Sequence, residues 1–475
     1  MSAESVSTET VSTETVTAPL RISVIGTGYL GATHAICMSE LGFDVVGVDV
    51  DPDKVRRLAD GEVPFFEPGL EELLRKNLAT GRLAFTTSFA ETADADVHFL
   101  CVGTPQRADS GAADMTYVDG AVERLLAVGP KPGALLVGKS TVPAGTAVRL
   151  AGWLAREAPD VDLAWNPEFL REGFAVEDTL RPDRLVFGLP ADDEWYGVAD
   201  RHDHGDHTGR RDRVEATLRA VYAVALDAGT PAVVSDFATA ELVKVAANAF
   251  LATKISFINA MSEVCEVAGA DVKTLASALS YDTRIGGRFL GAGLGFGGGC
   301  LPKDIRAFQA RAEEIGAGPA LRFLDEVDTV NLRRRTRTVE LAIHLLGGVA
   351  AGRRVAVLGA AFKPNSDDIR DSPALDVADT LRRAGARVTV YDPAAMENAA
   401  RKFPDLRYAT GVAAAVADAD VVLHLTEWAD FREIEPSLLT PLVRRPVIVD
   451  GRNTLDPQLW RSAGWIYHAL GRPNV

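Results

Sequence analysis

A chain of 475 residues, 47% of them hydrophobic, has material for about three domains with real cores, at roughly one domain per ~150 residues. Its formal net charge of −16 excludes a broad surface for nucleic acid or anionic membrane, since either would be repelled without a local basic patch. No apolar run is long enough for a membrane span and no signal-peptide order opens the chain. The four cysteines form no CxxC pair, so a cytoplasmic protein without a disulfide framework or a metal site is expected.

Residues 1–20 contain VSTET twice in tandem and little to bury, which predicts a disordered tail. Order is expected from Arg21 onward: the apolar run RISVI, then Gly26-Thr27-Gly28-Tyr29-Leu30-Gly31, a helical stretch, and a second strand DVVGVDVD. A lone GxGxxG is weak evidence, but this one follows a strand, opens a helix and is answered by an acidic residue at a second strand's end. Gly26 permits the turn, Gly28 lets a pyrophosphate approach the helix N-terminus, and Gly31 allows close helix packing. Asp49, eighteen residues past Gly31, is placed to accept hydrogen bonds from ribose hydroxyls and would repel a 2′-phosphate, so NAD is expected rather than NADP. Lys54 is expected to add a contact.

Further strands run into Val102-Gly103-Thr104-Pro105 and into Ser140-Thr141. Ligands of open parallel sheets lie beyond the strands' carboxyl ends, so both turns are expected to face the cofactor. Residues 191–213 carry His202, His204 and His207 among aspartates and read as a polar surface insertion rather than a metal site.

From Asp236 to Ala268 the chain has neither Gly nor Pro and repeats apolar residues at helical spacing. The resulting helix would be about 50 Å long. It is expected to connect two domains and, being apolar on more than one face, to form a dimer seam, although burial within one chain would look the same. Lys244 and Asn248 share one face of it, and on its own Lys244 reads as readily as a solvated lysine.

Near the C-terminus the first pattern returns: strand RRVAVLG, a helix begun by Ser372-Pro373, then strands ARVTVYDP and VVLHL. ADADV occurs at 93–97 and again at 417–421, each time leading into a strand, as two related domains would. The second first-turn reads Gly359-Ala-Ala-Phe362-Lys363 without GxGxxG, so a phosphate-bearing ligand other than a dinucleotide is expected there, with Lys363 supplying charge. The fold class expected is α/β, with two Rossmann-like doubly wound domains joined by a long central helix and a helical dimerisation region. Its parts are an NAD domain at 21–230, a central helical domain at 231–335 and a second Rossmann-like domain at 336–475.

Cys37, Cys101 and Cys265 lie in apolar patterns and read as small buried hydrophobes. Cys300 follows Gly295-Phe-Gly-Gly-Gly299 and precedes Lys303 and Asp304. Backbone N–H groups and lysine charge there are expected to lower the thiol pKa and favour a nucleophilic thiolate, although the segment alone fits a structural thiol equally.

These segments, together with Asn166-Pro-Glu-Phe-Leu-Arg-Glu-Gly173, ELVKVAANAF, GFGGGCLPKD, AFKPNSDDIRDS and Asp450-Gly-Arg-Asn453, stand in the order found in the UDP-glucose/GDP-mannose dehydrogenase family. From Arg21 onward the chain most resembles its UDP-glucose 6-dehydrogenases. The resemblance implies a four-electron oxidation of a sugar nucleotide's primary alcohol to a carboxylate, using two NAD per turnover and a Cys300 thiohemiacetal and thioester. It implies Lys244 as base, acid or electrostatic clamp with Asn248 beside it, Asp304 as orienter of water or lysine, and Glu168 as base for thioester hydrolysis. Glu172 and Thr141 would lie near the nicotinamide, with Lys303 and Arg370 also at the cofactor.

Around the UDP-sugar the resemblance sets Glu168, Phe169, Leu170, Arg171, Glu172, Lys244 and Asn248. It adds Phe289, Leu290, Gly291, Gly293, Gly297, Phe362, Lys363 and Arg452, with Arg284 contributed across a homodimer interface. Gly299 and Leu301 stand where serine and phenylalanine are common. The product would supply polysaccharide biosynthesis. A GDP-mannose 6-dehydrogenase running the same chemistry, a UDP-N-acetylmannosamine dehydrogenase and a non-catalytic nucleotide-sugar sensor are the other readings.

Overall fold

Strands buried on both faces read as near-continuous apolar runs, and the two sets of such runs here build two sheets. The computed structural model describes residues 20–190 and 209–473; the tandem-repeat tail at 1–19 and the histidines of the insertion lie outside the described residues. The first sheet contains β1 (Arg21–Ile25), β2 (Asp44–Val48), β3 (Leu83–Thr86), β4 (Val97–Leu100), β5 (Leu135–Gly138), β6 (Asp162–Trp165), β7 (Leu185–Leu189) and β8 (Ala232–Asp236). Their order is β3-β2-β1-β4-β5-β6-β7-β8, parallel throughout except for β6 against β7. The second sheet contains β9 (Arg354–Leu358), β10 (Arg387–Tyr391), β11 (Arg407–Tyr408), β12 (Val421–His424), β13 (Val447–Asp450) and β14 (Ile466–Ala469). Its order is β11-β10-β9-β12-β13-β14, wholly parallel. Both sheets share the 3-2-1-4-5-6 winding, whose order reverses beside the first strand and opens a crevice there.

The repeated ADAD has a physical task in each sheet. Asp96 accepts the N–H of Arg21 at 2.7 Å and returns its own N–H to the Arg21 carbonyl at 2.8 Å. Asp420 does the same with Arg354, at 2.8 Å in both directions. The motif thereby sets the register of the fourth strand against the first in both domains.

Helix α1 (Tyr29–Glu40) follows β1 through the glycine turn. Gly26 has φ +88°, and a Cβ on Gly31 would lie 1.7 Å from the Gly26 carbonyl oxygen, so the turn and the helix can close only with glycine at both positions. Between the sheets, α2 (Phe237–Ala268) runs 32 residues; Asp236, expected as its first residue, is instead its cap, accepting the Thr239 N–H at 2.6 Å. Helices α3 (Leu301–Glu314) and α4 (Phe323–Leu345) pack on it through Ala249, Ala252, Phe296, Ile305, Leu324 and Val327. Glu241 of α2, buried and pushed up to about 7 by that burial, accepts the N–H groups of Gly145 at 2.7 Å and Ala147 at 2.6 Å, fastening α2 to the first domain. No helix among the described residues is long and apolar enough to cross a membrane.

Candidate active site

The first sheet's crevice has the groups a dinucleotide needs. Gly28 caps α1 with no protein atom within 4 Å of where its Cβ would stand, which leaves open space at the positive end of the helix. Asp49, just past β2, accepts the Thr27 N–H at 2.7 Å and pairs with Lys54 at 2.9 Å. Burial alone would raise its pKa, but Lys54 and the N–H groups of Thr27 and Asp51 more than offset this and hold the carboxyl below its usual value. Beyond β4 and β5 the two turns are pinned together: Thr104 Oγ1 donates to the Thr141 carbonyl at 2.7 Å and Ser140 Oγ to the Val102 carbonyl at 2.7 Å. Lys303 reaches Thr104 Oγ1 at 3.3 Å, and Pro105 is held through its carbonyl by the Asp114 N–H at 2.7 Å. These residues fit NAD.

Leu30 packs against the first core, while the Tyr29 hydroxyl is turned to the end of the NPEFLREG segment. That hydroxyl bonds Glu67 and accepts the Gly173 N–H at 3.0 Å. Buried Glu67 also accepts the N–H groups of Gly173 at 2.6 Å and Ala175 at 2.8 Å, so the pair anchors the end of NPEFLREG. Nothing in the sequence pointed to Glu67, because Tyr29 is 38 residues away and the N–H groups of Gly173 and Ala175 more than a hundred.

At the second sheet, Asp392 occupies the place of Asp49. Its two oxygens are taken by five N–H groups, those of Ala360, Ala361, Ala394 and Ala395 and the Trp428 indole. No acceptor capacity remains there for a ribose, in keeping with the missing GxGxxG.

Between the domains, α2 presents its polar face to the NPEFLREG turn and the glycine-rich loop. Lys244 Nζ pairs with Glu168 at 2.7 Å, and Glu168 also accepts the Leu170 N–H at 2.8 Å. One turn along, Asn248 Nδ2 donates to Asp304 Oδ2 at 2.7 Å, while Lys303 pairs with Asp304 Oδ1 at 2.7 Å. Cys300 caps α3, whose first turn carries both Lys303 and Asp304. Burial would deprotonate Lys244, but the negative charges of Glu168 and Asp304 help outweigh it and keep the ammonium charged.

The expectation of an acidic thiol at Cys300 is overturned. Solvent reaches the residue, yet the surrounding protein desolvates its sulfur, and with Asp304, Glu168 and Glu172 nearby the thiol is pushed up to about 12 against the opposing charge of Lys244. Desolvation and the three carboxylates outweigh the nearby cations there, a balance that residue spacing does not reveal.

Glu172 closes the cleft from the first domain. Burial and the Asp368 charge raise it to about 7 against Arg370 and Lys363; it bonds Arg370 at 3.2 Å and Ser366 at 3.3 Å across the domain boundary. Burial lowers Lys363 despite the pull of Glu172 and Cys300, and its ammonium lies 5.2 Å from the Phe362 ring centroid. The Phe169 ring centroid lies 3.7 Å from the Arg184 guanidinium and 5.7 Å from the Lys244 ammonium.

Gly293 and Gly297 run too close to Gly451 and Asp371 for any side chain, with Cβ positions 2.6 and 2.2 Å from those carbonyls. Phe289 takes a left-handed φ of +65° before buried Leu290 and unobstructed Gly291. Arg452 is spent as scaffold, bonding the carbonyls of Leu425 at 2.7 Å, Gly295 at 2.9 Å and Phe362 at 3.2 Å. Arg171 is occupied by Asp178 at 2.6 Å. Arg284 is 88% exposed and pairs only locally, with Asp282 at 2.6 Å, so the chain does not bring it into its own cleft.

Two doubly wound domains, one with a dinucleotide turn and one without, closing on a shared cysteine, lysine and carboxylates define a nucleotide-dependent oxidoreductase. The chain belongs to the UDP-glucose/GDP-mannose dehydrogenase family: its NAD binding domain matches residues 20–199, its central domain 238–333 and its UDP binding domain 356–457. The UDP-glucose 6-dehydrogenase of Rhizobium meliloti is 39% identical over 458 residues, covering 96% of this chain and 100% of the relative. The UDP-glucose 6-dehydrogenase YwqF of Bacillus subtilis is 40% identical over 463 residues, covering 96% and 98%. Among solved structures, a UDP-glucose dehydrogenase from Pyrobaculum islandicum superposes with a TM-score of 0.83 at 37% identity, covering 97% of this chain and 100% of that one.

Proposed function

We propose that this protein oxidises the C6 alcohol of UDP-glucose to the carboxylate of UDP-glucuronate, with NAD as oxidant and Cys300 as covalent nucleophile. The observation that carries the proposal is the meeting, at one cysteine between a UDP binding and an NAD binding domain, of the Lys244–Glu168 and Asn248–Asp304 pairs. The glycine turn, Asp49 and the Thr104 and Thr141 turns would hold NAD, which when bound would supply the hydride acceptor for each of the two oxidations. As the first hydride leaves, the O6 hydroxyl proton passes to solvent water, and the charged Lys244, with Asn248 beside it, stabilises the negative charge developing on O6. Cys300 then adds to the aldehyde carbon, forming a C–S bond as its proton passes to the O6 side; a thiol that ionises only as it reacts is protected from idle oxidation. The thiohemiacetal loses the second hydride and its hydroxyl proton to become a thioester. Glu168 takes a proton from water as the water attacks, the C–S bond breaks, and the thiol is restored. The balance is one alcohol, two NAD and one water giving one carboxylate, two NADH and three protons.

The UDP-glucose reading is favoured over GDP-mannose because the relatives at 37 to 40% identity named above are UDP-glucose enzymes. A substrate panel decides: two NADH per UDP-glucose and none from GDP-mannose are expected. One NADH per sugar would refute the thioester sequence, and none from any nucleotide sugar would refute the enzyme.

The assembly proposed is a homodimer through α2, supplying Arg284 across the seam. Phe250, Phe257 and Val264, seven residues apart on α2, are 66, 50 and 56% exposed, an apolar stripe that water disfavours. Phe250→Glu with Phe257→Glu is expected to halve the particle mass by light scattering and to lower activity; an unchanged dimer would rule out this seam. A reduced Cys300 suits the cytoplasm, and the glucuronate product suits polysaccharide synthesis.

A further inference from the structure

Cys300 is reached through Gly297, Gly298 and Gly299, three residues with more backbone freedom than any others and no side chains to restrain them. Something else must fix the thiol. We propose that Asn331 and Arg335, one turn apart on α4, are positioning residues that set where Cys300 stands; the proposal rests on the reading of Cys300 as nucleophile.

Asn331, buried at 1% exposure, faces Phe296 in both directions. Its Oδ1 accepts the Phe296 N–H at 2.7 Å and its Nδ2 donates to the Phe296 carbonyl at 3.0 Å. One side chain thus supplies the paired bonds that a neighbouring strand would give. Gly295 is shaped to this contact: it has φ +96°, and a Cβ there would lie 2.5 Å from Asn331 Oδ1. Arg335 Nη2 reaches the same Phe296 carbonyl at 3.4 Å and the Asp371 carbonyl at 3.3 Å, while its Nη1 bonds Asp371 Oδ1 at 2.8 Å.

The Asp371 carbonyl is the atom against which Gly297 packs, and Asp371 itself is held at a left-handed φ of +47°, a conformation that persists only where neighbours determine it. The two α4 side chains therefore hold the start of the glycine run and the wall beside it. The first turn of α3 holds its end. With both ends and one wall fixed, and the Gly298 N–H bonded to the Arg370 carbonyl at 2.9 Å, the three glycines hold the sulfur in one place near Lys244 and Asp304.

The test uses full-length Asn331→Ala, Asn331→Asp and Arg335→Lys, with Cys300→Ser as control. Asn331→Asp keeps the acceptor for the Phe296 N–H but turns an oxygen toward its carbonyl; Arg335→Lys keeps the charge beside Asp371 and is the variant to measure if the Asn331 changes prevent folding. Expected for the Asn331 variants is a loss on the order of a hundredfold in kcat/KM for UDP-glucose, as for other misplaced reacting groups, with KM for NAD within about twofold. The rate of iodoacetamide labelling at Cys300 should shift severalfold, and Arg335→Lys should fall between. Unchanged kinetics and labelling with only a lowered Tm would overturn the proposal, leaving a structural role. Near-normal turnover by Cys300→Ser would instead overturn the nucleophile reading and this inference with it; an inactive Cys300→Ser beside normal Asn331 and Arg335 variants sinks only the inference.

Discussion

Cys300→Ser is expected to bind UDP-glucose and NAD near normally and to lose steady-state carboxylate formation on the order of 10³-fold or more. The binding groups proposed are elsewhere: Asp49 and the glycine turn on one side, and Lys363 and the Arg452-braced loop on the other. A serine hydroxyl is a far poorer nucleophile than sulfur and a far poorer leaving group from the second intermediate, so neither adduct forms at a useful rate. Titration of both ligands by calorimetry, alongside NADH production, checks the separation. Turnover within about tenfold of the unaltered enzyme would make Cys300 structural.

Glu168→Gln is expected to reduce overall turnover roughly 10²- to 10⁴-fold, the usual worth of a positioned general base. It should do so at hydrolysis. Glutamine retains an acceptor for the Leu170 N–H and for the Lys244 ammonium, which sits 2.7 Å from the native carboxylate, but cannot take a proton from water. The acyl group should therefore accumulate on Cys300, seen as a covalent adduct by intact mass and as a burst of NADH followed by a slow phase. If no adduct forms and the burst itself is slowed, Glu168 acts in the first oxidation through Lys244. The adduct must vanish in a Glu168→Gln, Cys300→Ser double variant.

The parts of this molecule readable from residues alone are those whose physics is local. Gly26 and Gly31 announce a turn because no other residue fits their backbone and packing, and 32 residues of α2 without Gly or Pro announce a helix. The ADAD repeat announces two kindred sheets, although its purpose, tying Arg21 and Arg354 into register, appears only once strands pair. Lys244 shows the boundary well. Spacing puts it on a face with Asn248, but the carboxylates that keep it charged come from a turn 76 positions earlier and a helix 60 positions later.

Tertiary structure alone decided the surroundings of the thiol, the bonds that Arg452 makes and the contacts of Glu67, Asn331 and Arg335. Each depends on burial or on partners far apart in sequence. Glycines and a neighbouring lysine are local signs that favour a thiolate at Cys300, whereas desolvation and three carboxylates set by the fold favour the thiol. Arg452 looks like a free cation in DGRN but is consumed by three carbonyls of the loops it braces. By itself the sequence determined the fold class, the dinucleotide turn and which side chains the chemistry has to work with. The packed structure decided their charge, their distances and the scaffold behind them, because solvent exclusion and long-range hydrogen bonding exist only after the domains close.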